Sequence, residues 1–131
     1  MEPIPGVTAT LTALAVAAMI HGSPPPYPGY AYLGSGKATW YGPQLHAGRL
    51  TASGEMYSAH SDTIAVGRSQ RHLLGREVLI VSEHGEAHVR VNDLCGKCDE
   101  YGVIADCTPY VHRLISANSD TVEVEFYVRR E

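Results

Sequence analysis

The sequence predicts a mainly β domain, a small closed β-barrel with one or two short helices. Several short stretches alternate in polarity or are continuously apolar, and turn residues separate them. Only one segment has helical spacing, and neither a β-α-β unit nor a repeat is present, which favours a barrel over an α/β fold. With 131 residues, 44% hydrophobic and 18% charged, the chain suits one folded domain rather than a disordered polymer.

The N-terminal part divides into two regions that precede the predicted domain. Residues 8–20 form a continuous run of apolar and small residues, too short to span a bilayer comfortably but typical of the core of a secretory signal. The first seven residues contain Glu2 and no Lys or Arg, unlike a standard signal. We expect residues 1–22 to be an export signal, a membrane anchor or a docking helix for an assembly. Residues 23–34, rich in Pro and Tyr, are predicted to be an extended linker, and residues 35–131 the domain.

The domain itself reads as strands separated by turns. Strands are predicted over residues 37–41, 63–66, 77–82, 87–91 and 121–128. Residues 44–54 are predicted to be a loop, with Gly48 and Gly54 in unusual backbone conformations. Residues 109–115 have apolar side chains at helical spacing, with Thr108 as N-cap and Pro109 in the first turn.

Composition narrows the classes of partner. A formal net charge of −4 without a Lys/Arg cluster argues against nucleic-acid binding. The chain has no phosphate-binding loop or nucleotide motif, so no organic cofactor is expected. Eight Tyr and one Trp suit surfaces that are partly apolar and partly wet, including grooves that face carbohydrate.

Three cysteines, Cys95, Cys98 and Cys107, allow at most one intrachain disulfide. If the chain is exported, we expect Cys107 to pair with Cys95 or Cys98. In a reducing compartment the alternatives are free buried thiols or a Zn²⁺ site formed by the three cysteines and His112. The disulfide is the preferred expectation, so no metal is assigned.

Four stretches then resemble one family, in order and at similar spacing. They are residues 36–42 (Gly-Lys-Ala-Thr-Trp-Tyr-Gly), 51–57 (Thr-Ala-Ser-Gly-Glu-Met-Tyr), 89–93 (Val-Arg-Val-Asn-Asp) and 104–109 (Ile-Ala-Asp-Cys-Thr-Pro). These stretches are similar to motifs of the rare lipoprotein A-like and expansin-like double-psi β-barrels, the last one to the segment that begins the barrel helix. The resemblance covers residues 36–128 and implies a six-stranded double-psi β-barrel with an open groove across one face.

The rare lipoprotein A branch implies a function for that groove. There it binds peptidoglycan glycan strands, and the enzyme is a lytic transglycosylase; by position, Glu55 and Asp93 match the two acidic functional residues of the branch. Glycosidic cleavage needs a proton donor and stabilisation of an oxocarbenium-like centre. We assign Asp93 as the acid/base and Glu55 as its electrostatic partner, with the reverse assignment open. The residues expected to bind substrate are Trp40, Tyr41, Tyr57, Asn92 and His60.

Two departures from that branch keep other functions open. Val66 occupies the position where the branch carries a His, for which His60 is a nearby substitute. Residues 93–98 resemble instead the Asp-x-Cys-x-x-Cys of expansin-like and barwin-like barrels, which bind polysaccharide and in many cases lack demonstrable hydrolysis. The alternatives are therefore a non-catalytic polysaccharide-binding module, or a virion tail-tip component that docks through residues 8–20. We expect an exported protein of the cell envelope, periplasm or extracellular space, or a virion protein.

Overall fold

In the computed structural model, which describes residues 27–131, the chain forms six strands and a few short helices. The predictions for residues 1–22 and for the first four linker residues lie outside this range. The strands of the described part are β1 (Tyr30–Trp40), β2 (Thr63–Gly67), β3 (Glu77–Ser82), β4 (Gly85–Cys95), β5 (Val103–Cys107) and β6 (Val122–Arg129). The helices are α1 (Pro43–His46), α2 (Cys98–Tyr101) and α3 (Pro109–Ile115), with a 3₁₀-helix at Arg68–Leu73.

The six strands close into a barrel in the order β1-β5-β2-β4-β3-β6. Two neighbouring pairs are parallel, β1 with β5 and β2 with β4, and the other four pairs are antiparallel. Closure pairs every strand on both sides, so the barrel leaves no unpaired sheet edge. The predicted fold class, a mainly β domain with a six-stranded closed barrel and short helices, is confirmed.

Alternating side chains from the strands fill the barrel. On β6, Val124 and Phe126 are fully buried in the main core, while Glu125, which lies between them, points to the opposite side of the sheet. The helix α3 closes the core by inserting Val111 and Ile115. As predicted, Thr108 caps this helix by accepting a hydrogen bond from the Val111 N–H. Gly48 and Gly54 also have the positive φ angles expected of them, 80° and 91°.

The domain begins earlier than the sequence indicated. β1 starts at Tyr30, whose register partner is Arg129 on β6, so residues 30–34 are barrel strand and not linker. The reason is burial of aromatic surface, because tyrosine side chains of this segment cover the outer face of β3 and β6. That outer cluster consists of Tyr27, Tyr30, Tyr32, Leu79, Val81 and Tyr127.

Two further strand assignments differ from expectation. Residues 104–109 were expected to begin the barrel helix, but Val103–Cys107 forms β5, and the helix starts only at Pro109. β4 extends to Cys95, so Asp93 lies inside a strand rather than after its end. Both differences arise because β2 lies between β4 and β5 in the barrel and pairs with each of them.

Within residues 27–131, no helix has the length and apolar character needed to cross a membrane.

Candidate functional site

A row of four residues in register crosses four adjacent strands on the outer face of the barrel. Thr39 of β1 pairs with Asp106 of β5, Asp106 pairs with Ala65 of β2, and Ala65 pairs with Asp93 of β4. Neighbouring residues in these strands, such as Ile64, point into the core, so the row points outward. Ala65 carries only a methyl side chain between the two residues with carboxyl groups, and it is 2% exposed because Tyr41 and Tyr57 pack against it.

Asp106 lies at the centre of this arrangement. Its Oδ1 accepts a hydrogen bond of 2.8 Å from the Thr39 hydroxyl, and the side chain is half-buried. Burial raises the pKa of the Asp106 carboxyl and the nearby charge of Asp93 adds to this, while the Thr39 hydrogen bond and the charges of His46 and His112 oppose it. Sequence reasoning missed Asp106, although it stands within the 104–109 motif, because that motif was read as a helix start.

Asp93 is attached to the loop formed by residues 51–55. Its Oδ1 accepts hydrogen bonds of 2.9 Å from the N–H groups of Ala52 and Leu94. These two backbone donors fix the carboxylate in one orientation at the end of the row.

Glu55 stands on the same loop in a different environment. Its carboxylate forms a bidentate ion pair with the Arg90 guanidinium. Arg90 Nη2 donates a 2.9 Å hydrogen bond to Oε2, and Nη1 donates a hydrogen bond to Oε1. Hydrogen bonding from Arg90, aided by the Ser53 hydroxyl, lowers the pKa of Glu55 to about 2. Glu55 is therefore ionised at neutral pH and holds its charge at the surface next to Arg90.

An open cleft of about 410 Å³ lies alongside the row, on the side of β1 and β5. Trp40 and Tyr101 line it and keep 41% and 59% of their surface exposed, so ring surface is available for contact. Asp106 also lines the cleft, together with two lysines and the two cysteines of the 95–98 turn. The lining lysines and cysteines are Lys37, Lys97, Cys95 and Cys98.

Tyr41 and Tyr57, predicted to bind substrate, are buried against the row instead of being exposed at the surface. They are only 8% and 7% exposed and pack against Ala65. The Tyr57 hydroxyl donates a 2.7 Å hydrogen bond to the Tyr41 carbonyl, and His46 packs edge-on against the Tyr41 ring. Burial, together with the charges of Asp93 and Asp106, raises the pKa of Tyr41, whose hydroxyl has no hydrogen-bond partner among the described residues.

The remaining predicted residues lie in other places. Asn92 is 3% exposed, and its carbonyl accepts the Ser53 N–H, so it supports the 51–55 loop. His60 is exposed, and its backbone N–H bonds to the Ser58 hydroxyl. Val66, at the family's His position, is fully buried in the barrel core.

The cysteines pair differently from the prediction. The disulfide joins Cys95 to Cys98, and Cys107 is a free buried thiol, so the expected Cys107 pairing is wrong. Cys107 points into the core from β5, whereas the other two cysteines line the outer cleft. His112 is buried near Trp40, and its Nε2 lies 3.0 Å from the Asp120 carbonyl oxygen. The structure therefore does not assemble the Cys₃His set.

Comparison with known proteins identifies the architecture. No protein-family model matches the chain, and no curated protein matches it significantly. Apo expansin from Clavibacter michiganensis matches with a TM-score of 0.58 and 22% identity over 74% of this chain and 50% of the expansin. The chain has a double-psi β-barrel fold.

Two further structures agree. A mutant of the same expansin in complex with cellohexaose matches with a TM-score of 0.58 and 21% identity, over 73% of this chain and 50% of that protein. The Streptomyces papain inhibitor matches with a TM-score of 0.55 and 19% identity, over 77% of this chain and 96% of the inhibitor. The chain thus spans half the length of the expansin structures and nearly all of the inhibitor, and at these identities the likeness concerns the fold.

Proposed function

We propose that this domain is a polysaccharide-binding module that holds a glycan strand in the cleft beside the Thr39–Asp106–Ala65–Asp93 row. The observation that carries the proposal is the pair of exposed rings, Trp40 and Tyr101, lining one open cleft with Asp106. The apolar faces of sugar rings pack on aromatic side chains, and sugar hydroxyls donate hydrogen bonds to a carboxylate.

Two other observations support this proposal. A related barrel, the Clavibacter expansin mutant, has been solved with cellohexaose, a linear sugar chain. In addition, the cleft is bounded by a disulfide-closed turn and by strands of a closed barrel, so its side chains are held on rigid elements. The substrate class that fits is a linear cell-wall polysaccharide, for which peptidoglycan and cellulose are the first ligands to compare.

The test is a pull-down with insoluble peptidoglycan sacculi and with cellulose. Trp40→Ala and Tyr101→Ala are each expected to weaken binding roughly 3- to 10-fold, the scale of one aromatic contact. Tyr110→Ala is the matched control, because Tyr110 is 39% exposed, close to the 41% of Trp40, and does not line the cleft. Equal losses in Trp40→Ala and Tyr110→Ala would refute a binding site in this cleft.

A lytic transglycosylase is the second candidate, favoured by the two carboxyl groups that flank Ala65. Such an enzyme protonates the glycosidic oxygen, and the sugar's own 6-hydroxyl then attacks to leave a 1,6-anhydro end without water. The ion pair with Arg90 suits Glu55 to the electrostatic role and leaves an aspartate of the row, Asp93 or Asp106, as the proton donor.

Mass spectrometry of sugars released from sacculi separates the two candidates. Anhydro ends that disappear in Asp93→Asn or Asp106→Asn would establish the lytic reaction, and saturable binding without release would establish the binding module. If the chain binds no polysaccharide, inhibition of papain is the next activity to assay, because the fold of the Streptomyces papain inhibitor overlaps over 96% of that protein's length.

A further inference from the structure

The turn Cys95-Gly96-Lys97-Cys98 places two sulfur atoms beside a carboxylate. It joins the end of β4 to α2, and both cysteines line the cleft. The Sγ atoms of Cys95 and Cys98 and a carboxylate oxygen of Asp106 all lie within 4.8 Å of one another. Cys-x-x-Cys is also the spacing with which many proteins bind Zn²⁺ through two thiolates. The polysaccharide-binding proposal uses the disulfide only to hold the turn and assigns no ligand contact to the sulfur atoms.

This arrangement is close to what a tetrahedral metal needs. Zn–S bonds of about 2.3 Å and Zn–O bonds of about 2.0–2.2 Å place ligand atoms roughly 3.3–3.8 Å apart. Once the disulfide is opened, the two Sγ atoms can separate to that distance by side-chain rotation, because the Cα atoms lie 5.4 Å apart. Asp106 already approaches them from β5, across the intervening strand β2.

We propose that reduction of the Cys95–Cys98 disulfide creates a Zn²⁺ site whose protein ligands are the two thiolates and the Asp106 carboxylate. A dithiol or phosphine reductant supplies the two electrons that break the S–S bond and is itself oxidised, and the two sulfur atoms take up two protons. Zn²⁺ then displaces those protons from the thiols. The fourth position opens to the cleft and takes water, as in zinc sites with three protein ligands.

The charges around the cleft agree with this assignment. Two thiolates and a carboxylate carry three negative charges, so the bound ion leaves a net charge of −1. Lys37 and Lys97 line the same cleft and complement that residual charge. The free thiol, Cys107, is fully buried on the inner side of β5 and takes no part.

Metal binding would also compete with glycan binding, since Asp106 belongs to both. In the oxidised form Asp106 accepts the Thr39 hydrogen bond and faces the cleft. In the reduced, metal-bound form the same carboxylate ligates Zn²⁺. Reduction with zinc present is therefore expected to weaken polysaccharide binding more than reduction with a chelator present.

The experiment titrates the full chain with Cd²⁺ and Zn²⁺ without polysaccharide, after phosphine reduction under argon. The expected result is one Cd²⁺ per chain with a thiolate-to-metal charge-transfer band, and no such band for the oxidised protein. Asp106→Asn should bind Zn²⁺ at least about tenfold more weakly in chelator competition, as changes outside the ligand set already cost 10- to 100-fold. Cys107→Ala should bind like the wild type, and Cys95→Ser should lose the band.

Three results would overturn the site: equal Zn²⁺ affinity in Asp106→Asn and the wild type, the band in oxidised protein, or its loss in Cys107→Ala. Circular dichroism establishes whether each variant is folded. If Cys95→Ser is unfolded, the isosteric Asp106→Asn still provides the comparison of Zn²⁺ affinity with the wild type. Because no glycan is present, failure here is independent of the polysaccharide-binding proposal, which is tested on the oxidised form.

Discussion

Replacing Thr108 by Ala should destabilise the domain by about 3 kcal/mol, because its buried hydroxyl makes two hydrogen bonds. Thr108 is 0% exposed; it donates a 2.7 Å bond to the Ser61 carbonyl and accepts the Val111 N–H at 3.4 Å. Loss of an N-cap costs about 0.5–2 kcal/mol. Leaving the half-buried Ser61 carbonyl without its donor costs up to about 1–3 kcal/mol more.

Urea denaturation measures this loss, with fluorescence of Trp40, the only tryptophan of the chain, as the signal. The Trp40 ring lies 6.2 Å from that of His112 on α3, so it reports on the helix that Thr108 caps. At a slope of about 1–3 kcal/mol per molar urea, the midpoint should fall by roughly 1–3 M. Thr108→Ser is the matched control, since it keeps the hydroxyl and removes one methyl group, worth about 0.8 kcal/mol.

The comparison between these two variants shows whether the Thr108 hydroxyl stabilises the domain. If Thr108→Ala and Thr108→Ser unfold within about 0.5 kcal/mol of each other, the hydroxyl does not stabilise the domain and the capping argument fails.

Three other changes test separate parts of the fold. Glu125 is 1% exposed and accepts a hydrogen bond from the Tyr127 hydroxyl, and burial raises its pKa above 4.5. The stability of the domain should therefore fall as pH rises through that raised pKa. In thermal melts, Glu125→Gln should be more stable than the wild type at pH 8 but not at pH 4. Gly85→Ala would place a Cβ 2.5 Å from a carbonyl oxygen of α3, and it should lower the free energy of unfolding by about 1–3 kcal/mol in urea denaturation. Gly96→Ala is the control, because a Cβ there meets no atom within 4 Å and the urea midpoint should be unchanged. The pKa of Glu55 is lowered from 4.5 to about 2 by its arginine partner, so the ion pair stabilises the domain above pH 4.5 and this stabilisation is lost as pH falls toward 2. In an acid titration, Glu55→Gln should therefore lose less stability than the wild type between these pH values. Added salt should reduce this difference between the two proteins.

Segments with strong local signals were predictable from the sequence. β3 coincides with the predicted strand over residues 77–82, because an apolar run between turn residues has few alternatives. The helix α3 also coincides, since Thr108 and Pro109 mark its start and the apolar spacing continues to Ile115.

The parts that depend on strand neighbours were not predictable in this way. β5 is five residues long and alternates only weakly, and it becomes a strand because β1 and β2 lie on either side of it. Without β5, nothing in the sequence says that Asp106 faces outward beside Thr39 while Cys107 faces inward. The cysteine count left the pairing open for the same reason, since which thiols meet depends on the faces of the strands that carry them.

Register likewise separates the predicted site residues. Trp40 remains exposed at the cleft, whereas the next residue, Tyr41, is buried against Ala65. Motif resemblance treats such adjacent aromatic residues alike, but alternation along the chain sends them to different environments.

The buried Cys107 thiol is also a built-in chemical probe of how often the barrel opens. With Cys95 and Cys98 joined, Cys107 is the one free thiol in the sequence, and it is 0% exposed. An alkylating reagent can reach it only when the barrel opens, so the labelling rate of wild-type protein counts opening events without any introduced probe. When reclosing is faster than labelling, that rate gives the equilibrium population of open molecules, and at high reagent concentration it approaches the opening rate itself. Ligands that tighten the barrel would then be detected as a slower reaction at a single sulfur atom.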